Sequence, residues 1–132
     1  MNPNSKKGFT LIELLVVGAF AALLVIIFFI QKANVDAMNR DDDRKTAINA
    51  MYYALEEYYY PKFGYYPAEI SEDVLPVIDP ALFTDPFGFN VGIDGSTYVY
   101  EPANCNEKNE CREYTLRAQL EKEDVYIKRG KR

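Results

Sequence analysis

The sequence predicts an α+β fold: a long N-terminal helix, its first half apolar enough to enter a membrane, with a three-stranded antiparallel sheet packed on its second half. Three observations carry that prediction. Phe9 to Ile30 is an almost uninterrupted apolar run. From Phe9 to Tyr60 there is no proline and only one glycine, Gly18, so nothing stops a helix. Beyond Asp94-Gly95-Ser96, three short segments rich in β-formers follow one another with turn residues between them.

Residues 1–8 are polar and basic, with Pro3 and no helical pattern. Lys6 and Lys7 stand directly before the apolar run, which keeps them on the cytoplasmic side and sends the C-terminus outward. An ordinary secretory signal places its small-residue cleavage site after the apolar core. Here Gly8 precedes the core, so a cut after Gly8 leaves the whole helix on the mature chain. Residues 9–30 would span about 33 Å as a helix, enough to cross a bilayer. A plain membrane anchor leaves Glu13 unexplained, because a carboxylate inside a membrane segment costs a few kcal/mol. A cut at Gly8 supplies a partner: the new α-amine of Phe9. The Glu13 carboxylate of one subunit would pair with the Phe9 amine of a neighbour in a helix bundle. An unpaired buried charge is heavily penalised, so such a pair would set the register between subunits.

Lys7-Gly8-Phe9-Thr10-Leu11-Ile12-Glu13-Leu14-Leu15-Val16-Val17 resembles the processing site of type IV pilins and of the pseudopilins of type II secretion and competence systems. The resemblance covers about a dozen residues. It implies a pilin-like fold, cleavage between Gly8 and Phe9 by a prepilin peptidase, N-methylation of Phe9, and Glu13 as the assembly residue. It also implies a homopolymeric filament, an inner-membrane assembly platform and a cytoplasmic assembly ATPase as partners. Roles in surface attachment, twitching motility, DNA uptake or secretion come with the family. Many members carry a proline near the outer end of the apolar segment. This chain reads Ile26-Ile27-Phe28-Phe29-Ile30 there, and Gly18 is its one helix-weakening residue.

The helix is expected to continue over residues 31–60. Ile48, Met51, Leu55 and Tyr58 or Tyr59 recur at helical spacing and offer an apolar face. Asp36 with Arg40, and Asp41 with Lys45, are i,i+4 pairs in the favourable order. The run Asp41-Asp42-Asp43 reads as a solvated face or as a charge contact to a neighbouring subunit. The tyrosines around Tyr52, Tyr58 and Tyr65 read as packing at a helix end, with sugar or nucleic-acid stacking as the alternative. Pro61 and Gly64 are expected to end the helix, and residues 61–132 to form a small globular domain. Its Phe63-Gly64-Tyr65-Tyr66-Pro67 segment resembles the post-helix loop of major pseudopilins and of related Gram-positive-type pilins, and Thr84-Asp85-Pro86-Phe87-Gly88 resembles the turn of the pseudopilin loop. Some of that family bind calcium. Asp85 and Asp94 are the oxygen ligands such a site would use here, although no ligand spacing is present and turn formation is the simpler role. Strands are expected at Thr97–Tyr100, Glu113–Leu120 and Val125–Lys128. The basic tail from Lys128 to Arg132 reads as a solvated terminus, with a contact to the Asp41–Asp43 region of a neighbouring subunit or to DNA as alternatives.

Composition narrows the function further. Net charge is −5, which argues against a general nucleic-acid binder. There is no histidine, so the commonest general base and metal ligand is missing. Glu56, Glu57, Glu69, Glu72 and Asp73 read as surface acids rather than a carboxylate-only catalytic site. Cys105 and Cys111 lack the partners for a zinc site and the spacing of a redox motif. A short-loop disulfide is the preferred reading over a pair of free thiols, and it implies an oxidising, extracytoplasmic setting. The sequence thus predicts a structural subunit rather than an enzyme, made as a single-pass membrane precursor and finishing at the cell surface. The opposing class is a membrane-anchored extracellular binding domain that never polymerises.

Overall fold

The computed structural model describes residues 8–130. The two lysines before Gly8 and the last two residues of the basic tail lie outside them. The chain separates into two units, one ending at Asp36 and the other beginning at Ala37. Helix α1, Leu11–Tyr53, contributes to both.

In the first unit α1 begins with a side-chain cap. The Glu13 N–H donates to Thr10 Oγ1 at 3.3 Å and the Leu14 N–H to the Thr10 carbonyl at 3.1 Å. Thr10 and Glu13 have the residue types and spacing of a capping box. From there α1 is unbroken through Gly18. An 18-residue window reaches a mean hydropathy of 2.9 with none of it buried. The core helix of a soluble protein would be covered; this one is long and apolar enough to cross a membrane and carries its apolar side chains exposed.

In the second unit the helix becomes amphipathic. Ile48, Met51 and Leu55 are fully buried, each stabilising the fold by about 1.5–3 kcal/mol. The same stripe carries Ala37, Asp41 and Arg44 inward. Beyond α1 a π-helical segment, Ala54–Tyr59, leads into helix α2, Tyr60–Phe63. Pro61 was expected to end the helix and instead sits at its first turn. The wider ladder before it explains why: the Tyr60 N–H reaches back to the Leu55 carbonyl, and a π-bulge relaxes the backbone where a proline ring would crowd it. Gly64, at φ 77°, then terminates α2 in the left-handed region.

The sheet has four strands, not three. They are β1 Tyr66–Pro67, β2 Tyr98–Cys105, β3 Glu110–Ala118 and β4 Tyr126–Arg129, all antiparallel. β3 is central. β2 covers one edge from Tyr98↔Ala118 to Cys105↔Cys111. The other edge is shared, with β1 at Glu110 and Cys111 and β4 from Thr115 to Ala118. Gly130 fills the space between them, donating its N–H to the Tyr114 carbonyl at 3.2 Å. A Cβ there would lie 2.9 Å from the Tyr114 ring, so only glycine passes. β1 escaped the sequence reading because two residues ending in proline show no alternation. Tyr114, Leu116 and Ala118 of β3 and Tyr98 of β2 complete the core with Tyr66 of β1 and with Ile70, Leu75 and Phe83 from the segment between β1 and β2.

Candidate functional site

The residues that the processing motif singles out lie together at the start of the first unit. Gly8, Phe9, Thr10 and Glu13 line one groove of about 440 Å³. The Gly8–Phe9 bond lies outside any helix or strand, both residues are exposed, and Phe9 is 77% accessible. A side chain built on Gly8 would meet nothing within 4 Å. This peptide bond is exposed, and the capped helix starts shortly after it. Glu13 stands exposed in the first turn of α1, where the unpaired N–H groups of the helix favour negative charge. Thr10, which sequence reasoning passed over as a member of the motif, gives this end its defined geometry. Its threonine-x-x-glutamate spacing was the available signal.

Cys105 and Cys111 are bonded and face each other across β2 and β3. The hairpin they close is held from within by Asn106. Its side-chain oxygen accepts the N–H groups of Lys108 at 2.9 Å and Glu110 at 3.0 Å. Asn104 and Asn109 take positive φ at either side of the turn, a conformation asparagine tolerates better than most residues.

Asp85 and Asp94, the two calcium candidates, are placed differently. The Asp85 carboxylate is 4% exposed and is filled by protein donors. Oδ1 accepts the N–H groups of Phe87 at 3.0 Å and Phe89 at 2.9 Å, and Oδ2 accepts the N–H and hydroxyl of Thr97 at 2.8 and 2.9 Å. Burial by itself raises this carboxyl, but these donors outweigh it and hold it below the ordinary carboxylate range. Asp85 therefore knots the Pro86–Phe89 turn to the start of β2. Asp94 lies exposed in the next turn. Among the described residues no group of three or more acids and cysteines is placed to hold a metal.

The most elaborate polar assembly of the second unit centres on Arg44, which is fully buried. Its Nη1 contacts Asp41 Oδ1 at 2.8 Å and Glu121 Oε1 at 2.9 Å. Its guanidinium lies 5.1 Å from the Phe87 ring centroid. Asp41 in turn accepts the backbone N–H groups of Glu121 and Lys122, each at 2.8 Å. Arg40 grips the Glu121 carboxylate with two bonds, at 2.8 and 2.7 Å, and Lys45 reaches Glu123 at 2.6 Å. These contacts clamp the loop between β3 and β4 onto α1. The side-chain bonds from Arg40 and Arg44 hold the Glu121 carboxyl down at about 2. Asp41 is held low as well: burial works against it, and the loop N–H groups and Arg44 prevail.

Arg40 and Lys45 reach Glu121 and Glu123 on the β3–β4 loop, and Asp41 turns inward to Arg44 at i,i+3. Asp41 is therefore not a surface charge for a neighbour. Glu56, read as a surface acid, is buried and accepts the hydroxyls of Tyr66 and Tyr114, both at 2.9 Å. A sequence signal for the inward pair exists: Ala37, Asp41, Arg44, Ile48, Met51 and Leu55 repeat at alternating steps of four and three, one continuous helical stripe.

No protein-family model, no curated protein and no solved structure matches this chain.

Proposed function

We propose that this chain is the structural subunit of a type IV pilus, processed between Gly8 and Phe9 and polymerised through its N-terminal helix. One observation carries the reading. The lysine-glycine-phenylalanine processing pattern, with an acid five residues after the glycine, heads an apolar helix whose side chains are exposed. In a bilayer lipid covers that helix; in a filament, neighbouring copies do. The precursor waits in the membrane with its basic end in the cytoplasm. A prepilin peptidase cuts after Gly8 and leaves an amine on Phe9, the site of N-methylation. Glu13 of an incoming subunit pairs with the Phe9 amine of its neighbour, because an unpaired carboxylate in an apolar bundle costs several kcal/mol. An assembly platform and a cytoplasmic ATPase drive extraction from the bilayer. The stapled globular unit is displayed outside, where attachment, motility or DNA uptake would take place.

A pseudopilus of a secretion or competence system is the second reading. The Asp85 turn favours it, since Thr84-Asp85-Pro86-Phe87-Gly88 resembles the turn of the pseudopilin loop. Replacing Glu13 by alanine tests the mechanism shared by the two. Surface filaments should fall to a small fraction of their normal abundance while the precursor still accumulates in the membrane. Filaments at normal abundance would remove the charge pairing.

A further inference from the structure

Tyr98, at the start of β2, is 2% exposed, and its ring belongs to the core. Its hydroxyl has no hydrogen-bond partner among the described residues, yet that oxygen is not sealed from solvent. Tyr98 lines a hollow of about 240 Å³ between α1, the Pro80–Phe83 turn and the Asp85 turn. Buried polar groups are nearly always satisfied, so a hydroxyl held at such a place calls for an occupant.

The walls define its chemistry. Ala47, Ala81, Leu82 and Pro86 make one part apolar. The polar part offers acceptors. Asp43 is exposed on α1 and has no ion-pair partner among the described residues, and Thr46 stands one turn beyond it. The Thr84 hydroxyl donates to Asn90 Oδ1 at 2.7 Å, so its oxygen has only lone pairs left to offer. Asp85, its own oxygens filled, adds negative charge. Burial, and then the charges of Asp85 and Asp43, raise the Tyr98 phenol, which places its hydroxyl among these acids. No lysine or arginine lines the hollow. The nearby Arg44 has its charge met by Asp41 and Glu121. The hollow is smaller than drug-sized sites, which run from about 300 to 1,000 Å³, so it suits a short group rather than a whole cofactor.

We propose that this hollow binds a primary alkylammonium group, either the end of a lysine side chain or a free amine. An ammonium has three donors and no acceptor, which matches the Asp43 carboxylate and the Tyr98 and Thr84 oxygens. The methylene stem lies along Ala81, Leu82 and Pro86. Every wall belongs to the second unit, so the site stands whether or not the chain polymerises.

Titration of the methyl-labelled full chain in detergent micelles with n-butylammonium, at constant ionic strength, tests this by nuclear magnetic resonance. The methyl signals of Ala47, Ala81 and Leu82 should move saturably. n-Butanol, the same stem without the charge, should bind at least about tenfold more weakly. Asp43→Asn should weaken amine binding about tenfold and Tyr98→Phe about threefold. Tyr98→Phe should leave the unfolding midpoint unchanged, because the hydroxyl it removes has no protein partner. Asp42→Asn, at the exposed neighbour that does not line the hollow, should leave binding unchanged and so separates the site from the general attraction of an acidic protein. Shifts that do not saturate, an equal response to butanol, or equal effects of Asp42→Asn and Asp43→Asn overturn the proposal. Carbodiimide treatment of native membranes then separates the two sources. A bond from Asp43 to a lysine of another chain assigns the ammonium to a protein side chain, and its absence assigns it to a free amine.

Discussion

Replacing Asp41 by alanine probes the clamp that fixes the β3–β4 loop to α1. Asp41 is 2% exposed, and its carboxylate holds two loop N–H groups and one guanidinium nitrogen. The substitution orphans both N–H groups and takes one of two acidic partners from a fully buried arginine. Breaking a buried ion pair costs about 3–5 kcal/mol. Glu121 remains beside Arg44 and is partly open to water, so the lower end applies, about 3 kcal/mol. Urea unfolding of the full chain in detergent, followed by tyrosine near-ultraviolet circular dichroism, measures the loss. Arg44→Met in the same background should recover part of it, because the stranded charge is gone while the two N–H groups stay unpaired. A loss below about 1 kcal/mol, the range of an exposed ion pair, would refute the clamp.

Further outcomes follow from the same contacts. Reduction of Cys105–Cys111 should destabilise the second unit by about 2 kcal/mol, from the closure entropy of so short a loop, seen as a lower unfolding midpoint with reductant. Gly130→Ala forces a Cβ into the Tyr114 ring and should cost about 1–3 kcal/mol, with faster amide exchange in β4. The carboxyls of Glu121, Asp41 and Asp85 are all held low in the fold. Their contribution is complete above the ordinary carboxylate range and is lost as pH falls from about 4 toward 2, which an acid titration of the unfolding midpoint would show. Burial pushes the phenols of Tyr59 and Tyr98 up to about 12 and raises Tyr100 and Tyr114 as well. Absorbance titration should therefore leave a fraction of the tyrosines protonated at pH 11 until the chain unfolds.

The elements that local chemistry determines were legible. The apolar run, the helix beyond it and the Cys105–Cys111 pair could each be read from residue type and spacing. So could the buried face of Ile48, Met51 and Leu55. Elements set by tertiary context could not. β1 pairs only because β3 offers an edge at Glu110 and Cys111. β3 begins at Glu110 rather than Glu113 because the disulfide draws the hairpin shut. Asp41 and Glu56 read as surface acids because burial of a charge depends on partners distant in sequence: Glu121 for one, Tyr66 and Tyr114 for the other. At the N-terminal end Gly8, Phe9 and Glu13 are close in sequence, so they could be singled out without the fold, whereas the cap that Thr10 provides was passed over.

The central claim is that this chain is cut and joined at Phe9. Mass spectrometry of the protein taken from the cell surface tests it most directly. The account predicts a chain beginning at N-methylated Phe9, with residues 1–8 missing. A surface protein that still begins at Met1 would contradict it and leave a membrane-anchored domain in its place.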